Sequence, residues 1–254
     1  MDQDKIAESV SRSWYEYSDG DGASKHPWEG ETEPNYTGPT PPYEWLDTDA
    51  KYTWLKAPRY DGKAMEVGPL ARMLVAYARG HSRVKELVDF VLSTLGVGAE
   101  ALFSTLGRTA ARGIETLVIA EQLIDWTDRL ATNMASPDRR IHNGDKWEPR
   151  SWPKTARGWG HTEAPRGGLG HWVVIENGEI ANYQCIVPST WNASPRDAAG
   201  QPGPYEASLI GTPVVDPEQP LEILRTIHSF DPCMACAVHV VNPEGDEHVQ
   251  VRIV

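Results

Sequence analysis

The segment DPCMACAVH sets Cys233 and Cys236 three residues apart and His239 three further on. In a turn, that spacing lets two sulfurs and an imidazole face one point. Thiolates and imidazoles are donors for zinc, nickel and iron. A thioredoxin-like redox pair normally follows a strand and opens a helix, whereas a helical pattern precedes this motif. Attachment of a c-type haem needs C-x-x-C-H, and here Ala237 and Val238 separate Cys236 from the histidine. With Cys185, the remaining cysteine of the sequence, the set becomes a closed structural zinc site of three thiolates and one imidazole. An open-sided thiolate site would instead let a substrate reach a catalytic metal. Spacing leaves both readings standing.

Composition narrows the setting. Three cysteines, unevenly placed, are too few for a disulfide framework, so the retained thiols point to metal or redox chemistry. The 36 acidic against 24 basic side chains leave a net charge of -12, which opposes the phosphate neutralisation that nucleic-acid binding requires. No apolar run is long enough to span a bilayer, and Asp2, Asp4 and Glu8 stand where a signal peptide would be basic and then apolar. Neither a membrane span nor an export signal of its own is therefore expected. At 254 residues the chain is long enough to bury a core.

The elements that must position the cysteine end are partly legible. Residues 19 to 60 are dense in Gly, Pro, Asp and Trp, as in HPWEGETEPNYTGPTPPYEW. Trp28, Tyr36, Tyr43 and Trp45 make this an ordered wrapping loop with short extended pieces, not a flexible linker. Pro69 opens a helix whose Leu70, Met73, Leu74 and Tyr77 share a face, with Gly80 as its cap. A second helix is expected over Val84 to Leu95. From Ala99 to Met134, Leu102, Leu106, Ile114, Leu117, Val118, Leu123 and Ile124 suit one long helix, or two joined near Gly113, and read as core. In HWVVIENGEIANYQCIVP, Asn177-Gly178 separates two β-rich runs as a type I′ hairpin turn does. A further helix over Glu218 to His228 must stop before Pro232, and a strand is expected at His248 to Ile253. The class is α+β, mainly helical, with a hairpin near the cysteine-containing end.

The wider sequence sharpens this. RGGLGHWVVIENGEIANYQCIVPSTWNASPRDAAGQPGPYEASLIGTP followed by HSFDPCMACAVH resembles the C-terminal signature of NiFe-hydrogenase large subunits. HPWEGETEPNYTGP with WLKAPRYDGKAMEVGPLARMLVAY resembles the segment upstream of it. The likeness runs over nearly the whole chain and combines several ordered motifs. It is nearest to the uptake group of membrane-associated enzymes. The implied organisation is a large-subunit portion over 1–239, made of a wrapping segment 1–66, helices 67–135 and a metal-site region 150–239, then a propeptide-like extension 240–254.

Carried over by position, the resemblance implies that Cys233 is a terminal nickel thiolate and that Cys236 bridges nickel and iron. It makes His239 the imidazole ligand of a nearby magnesium and the backbone carbonyl of Cys185 another ligand of that ion. By itself, Cys185 reads as a buried small hydrophobe. Arg166 would hang over the open metal face with Asp231 and Pro165 beside it; without the resemblance, Arg166 and Asp231 read as a surface ion pair. Ser189 would bond a carbon monoxide or cyanide ligand on iron, and otherwise caps a turn. The implied chemistry is heterolytic cleavage or formation of dihydrogen, with Cys233 an easier proton acceptor than Arg166, because guanidinium stays protonated.

The resemblance also implies what lies elsewhere. Two more thiolates of the centre, from a CxxC motif, and a magnesium carboxylate would come from a missing N-terminal half, so the chain alone is expected to be inactive. The fifteen residues from Val240 to Val254 resemble the peptide that a dedicated endopeptidase removes after a maturation chaperone has served nickel insertion, with the cut between His239 and Val240. The implied electron partner is an iron-sulfur small subunit. The implied location is membrane association through partners on the periplasmic side after co-export, with a cytoplasmic precursor. The competing outcome is a non-catalytic zinc module or an inactive remnant.

Overall fold

A computed structural model of the chain describes residues 1–40, 46–233, 237–241 and 247–252. Tyr43, Trp45 and Cys236 lie outside the described residues, as does the side chain of His239. The chain divides into two compact units, one formed by 69–157 with 174–181, the other by 1–68, 158–173 and 182–254.

The first unit is built on three helices, α1 (Pro69–Ala78), α2 (Ser82–Leu95) and α3 (Thr105–Ala135). Proline at the first turn of α1 loses no helical hydrogen bond. The His81 side chain accepts the Val84 N–H to cap α2, and Gly96 ends it in the left-handed region at φ 65°. Ser104 caps α3 by accepting from Gly107 N. Gly107 is required there: a β-carbon would lie 2.1 Å from the Leu102 carbonyl oxygen. The apolar faces meet in a cluster of Leu70, Met73, Val84, Val88, Leu102, Ala111 and Ile114, with Val118 at its edge. Arg72 Nη2 donates to Glu115 Oε2 at 2.8 Å and ties α1 to α3.

Helix α3 is continuous through Gly113. The expectation that all its apolar residues are core is corrected: Leu106, Leu117, Leu123 and Ile124 are exposed, Ile124 at 67%. The packed cluster reaches only as far as Val118, so the later turns have nothing in this cluster to pack against.

A three-stranded sheet has the order β5 (Ala156–Ala164), β6 (Gly167–Glu176), β7 (Glu179–Ile186). Asn177 at φ 55° and Gly178 at φ 85° form its turn, both in the left-handed region that a type I′ hairpin demands. Strand β5 was not anticipated, because its almost wholly exposed residues carry no apolar alternation to read.

In the second unit β1 (Ile6–Ser9) pairs antiparallel with β4 (Ala57–Tyr60), with Ile6 opposite Tyr60 and Ser9 opposite Ala57. Among the described residues between them, β2 (Tyr15–Tyr17) pairs antiparallel with β3 (Thr32–Pro34), while Trp14 Nε1 donates to Lys51 O at 2.9 Å. The core pairs two indoles with two isoleucines, Ile6, Trp172, Ile186 and Trp191, flanked by Trp28, Tyr60, Met65 and Val67. Three short helices follow, α4 (Pro188–Asn192), α5 (Pro204–Leu209) and α6 (Leu221–His228). The Arg59 guanidinium, 3% exposed, donates to Asp197 Oδ2 at 2.8 Å, Ser194 Oγ at 3.2 Å and the carbonyls of Pro58, Pro195 and Gln201. Such full pairing is what a buried charge needs. At the end, β8 (Ala237–Val241) pairs antiparallel with β9 (Glu247–Arg252); the register is irregular between Val240 and Val241.

Candidate metal centre

Helix α6 ends at His228, ahead of Pro232 as its proline requires, and the Asp231 N–H returns to the His228 carbonyl at 2.9 Å. Asp231 is left-handed at φ 56°, a conformation that costs a non-glycine residue about 1–2 kcal/mol. Arg166 holds it there. Arg166 Nε donates to the Asp231 carbonyl at 2.8 Å and Nη2 to its carboxylate at 3.3 Å. The turn then delivers Cys233, whose N–H donates to Ser189 Oγ at 3.1 Å. Ser189 itself is buried on α4.

Arg166 stands between β5 and β6, after Pro165 and before Gly167. Its backbone is fixed by a tight approach to residues 67–68. A β-carbon on Gly167 would fall 2.5 Å from Val67 Cγ2, and one on Gly68 would fall 2.9 Å from the Arg166 carbonyl oxygen. Both glycines also have positive φ, 133° and 123°.

The structure thus brings Arg166, Asp231, Ser189 and Cys233 together, with Pro165 adjacent to Arg166 in the chain. The ion pair is half open, the side chains 37% and 43% exposed, and Cys233 is exposed. A thiol presented on an anchored backbone beside a fixed cation is suited to meet a ligand from solvent. Cys185, on β7, is also exposed, which corrects its reading as a buried hydrophobe. Among the described residues no three His, Cys, Asp or Glu side chains converge as a metal site. His239 has its backbone in β8.

Sequence reasoning missed a polar nest beside Cys185. Glu8 of β1 is 1% exposed and its Oε1 has no hydrogen-bond partner, while Oε2 accepts from Lys56 Nζ at 2.6 Å. Lys56 also donates to Gln184 Oε1 at 3.0 Å, and Gln184 immediately precedes Cys185. Burial raises the Glu8 pKa, against the lowering effect of the Lys56 charge and hydrogen bond. An orphaned carboxylate oxygen next to this strand fits a hydrated divalent cation. Asn192, on α4, was missed as well: its amide oxygen accepts from the Val67 N–H and its amide nitrogen donates to the Val67 carbonyl. Neither residue carries a sequence signal, because each acts through a backbone or side chain remote in the chain.

Residues 1–239 match the family model described as nickel-dependent hydrogenase. Among curated proteins, the uptake hydrogenase large subunit of Bradyrhizobium diazoefficiens is 53% identical over 98% of this chain and 43% of its own length. The hydrogenase-1 large chain of Escherichia coli is 46% identical over 100% of this chain and 43% of its own. The chain therefore spans less than half the length of these relatives. Among solved structures, an H2-activated NiFeSe-hydrogenase of Dm. baculatum superposes with a TM-score of 0.74 at 33% identity, covering 92% of this chain and 44% of that one. The Ni-Fe-Se hydrogenase of D. vulgaris Hildenborough in its reduced state gives 0.72 at 34% identity, over 92% and 45%.

Proposed function

The chain belongs to the nickel-dependent hydrogenase family, and on that premise we propose that it supplies one half of a nickel-iron centre that cleaves or forms dihydrogen. The observation that carries this reading is the pair of links that join Arg166 to Asp231 and, two residues on, Cys233 to Ser189. Cys233 and Cys236 would hold the metals through their thiolates. The remaining thiolates come from the part of the large subunit outside this chain.

When bound, the centre supplies Lewis acidity and redox capacity for heterolysis of dihydrogen. The chain's own residues do the rest. The Cys233 sulfur takes up the proton, since a guanidinium is a poor base and Arg166 has two of its N–H groups committed to Asp231. Arg166, held by Asp231 and followed by Gly167, keeps a fixed positive charge over the open side, with Pro165 narrowing it. The Ser189 oxygen accepts from the Cys233 backbone, so its own O–H stays available to donate to a carbon monoxide or cyanide ligand on iron. His239 and the Cys185 carbonyl would hold magnesium; the Glu8 oxygen without a hydrogen-bond partner, with neighbouring Lys56 and Gln184, would support a hydrated cation at that end.

Electrons leave to an iron-sulfur small subunit, and the complex is membrane-associated through partners on the periplasmic side, reached from a cytoplasmic precursor. No helix among the described residues is long and apolar enough to cross a membrane. The family match stops at His239, which supports removal of residues 240–254 by an endopeptidase after chaperone-assisted nickel insertion. The decisive experiment is coexpression of this chain with a CxxC-bearing N-terminal half and the maturation machinery. Nickel, infrared bands from iron-bound diatomic ligands and a mass ending at His239 are expected. One tightly held zinc, with the Cys185 sulfur among its ligands, would overturn the reading.

A further inference from the structure

We propose that Asn192 is the positioning residue of this centre, one buried amide that fixes both walls of the site; the assignment rests on reading Cys233 and Arg166 as parts of one centre. Asn192 is 2% exposed. Its Oδ1 accepts the Val67 N–H at 2.9 Å and its Nδ2 donates to the Val67 carbonyl at 2.9 Å. Two antiparallel bonds to one residue's backbone fix its position and its direction together, as a ladder pair does between strands.

That clasp reaches the site by two routes. Through the backbone of Val67 and Gly68 it sets the surface on which Arg166 and Gly167 rest, at a separation too small for a β-carbon on either glycine. Through α4 it anchors Ser189, three residues earlier and on the same face of the helix, and Ser189 holds the Cys233 N–H. The routes meet again, because Arg166 grips Asp231, two residues before Cys233. The contacts form a closed circuit, and Asn192 is the member that joins its halves while touching neither Cys233 nor Arg166 by a hydrogen bond. Displacing one wall must strain the other.

The test is hydrogen–deuterium exchange of the metal-free full chain, read at single residues by NMR and expressed as protection factors. In Asn192→Ala, protection of the Val67 and Cys233 amides should fall together, each by about tenfold, the scale of one lost hydrogen bond. The β1–β4 ladder should keep its protection. Loss at Val67 alone, or equal loss in the ladder, would overturn the proposal. Asn192→Asp supplies a conservative rescue: the ionised carboxylate cannot donate to the Val67 carbonyl, whereas the protonated acid has the amide's shape and donates. Protection at Val67 and Cys233 should then return together as pH is lowered, a change absent in the parent chain. Return at Val67 without Cys233 would again overturn it. Should the alanine variant not fold, the aspartate series alone decides. Because no metal is involved, coupling seen in a protein that never takes up nickel would remove the hydrogenase reading and leave the clasp, whereas missing coupling in a nickel-binding protein would remove the clasp alone.

Discussion

The helical unit and the cysteine-bearing unit are stabilised by different physics. In the first, a cluster of aliphatic side chains packs three helices; Arg72 and Glu115 form a partly buried ion pair between α1 and α3, while Arg83 and Glu121 pair at the surface with side chains 35% and 43% exposed. In the second, directional bonds run through the interior: Arg59 with five acceptors, Asn192 with two bonds to the backbone of one residue, Lys56 between Glu8 and Gln184. Packing sets distance loosely and tolerates exchange of similar side chains. Hydrogen bonds also set angle, which is what a site with fixed donors requires. The proposed centre falls in the unit whose interior is held by such bonds.

Arg59→Ala should break the comparison most visibly. It strands the Asp197 carboxylate and three carbonyls in the interior, and loss of one partner of a buried ion pair costs about 3–5 kcal/mol. Denaturation monitored in the cysteine-bearing unit should show the loss while the helical signal of α1 to α3 keeps its midpoint. A common shift of both would mean that the units do not differ as described. Next in size is Ile114→Ala, where a 6%-exposed side chain leaves the aliphatic cluster, at a cost of about 2–4 kcal/mol. Leu123→Ala, on the same helix but 52% exposed, should change stability by less than about 0.5 kcal/mol in this chain. Equal effects from the two, read by circular dichroism of chemical unfolding, would deny that the core ends near Val118.

Glu121→Gln gives the smallest effect, and its size varies with pH. The hydrogen bond from Arg83 holds the Glu121 pKa below the ordinary glutamate range. The parent chain should therefore be the more stable at neutral pH, where the folded state keeps the carboxylate charged. That advantage persists above the unfolded pKa and is lost as pH falls through the lowered folded value. Both partners face solvent, so raised salt should shrink the gap. Unfolding midpoints of the two chains at neutral and acid pH, in low and high salt, measure it.

Helices and hairpin were legible because their signals are local. Pro69, Gly80 and the spacing of Leu70, Met73, Leu74 and Tyr77 all lie within one short stretch, and Asn177-Gly178 fixes a turn by its own φ preference. Exposure along α3 was not legible, since periodicity tells which residues share a face but not whether anything covers it. At the site, Arg166, Asp231, Ser189 and Cys233 came from resemblance to a family, and their mutual bonds were invisible to spacing: Arg166 and Asp231 are 65 residues apart, Ser189 and Cys233 44. Glu8 and Asn192 escaped entirely. A buried glutamate in a four-residue strand and an asparagine ending a five-residue helix look like ordinary polar residues until their distant partners are in place.

The paired ends β8 and β9 bear on how the tail can be trimmed. His239 faces Gln250 and Val240 faces Val249, so the proposed scissile bond lies inside a ladder, where a peptidase cannot wrap an isolated strand. The register break falls at the very next peptide, between Val240 and Val241. Unzipping can begin at that irregular step without first releasing the terminal pairs. For the proposed cleavage, access would be a matter of local fraying, and a change that regularised this rung should slow the cut without touching the residues at the scissile bond.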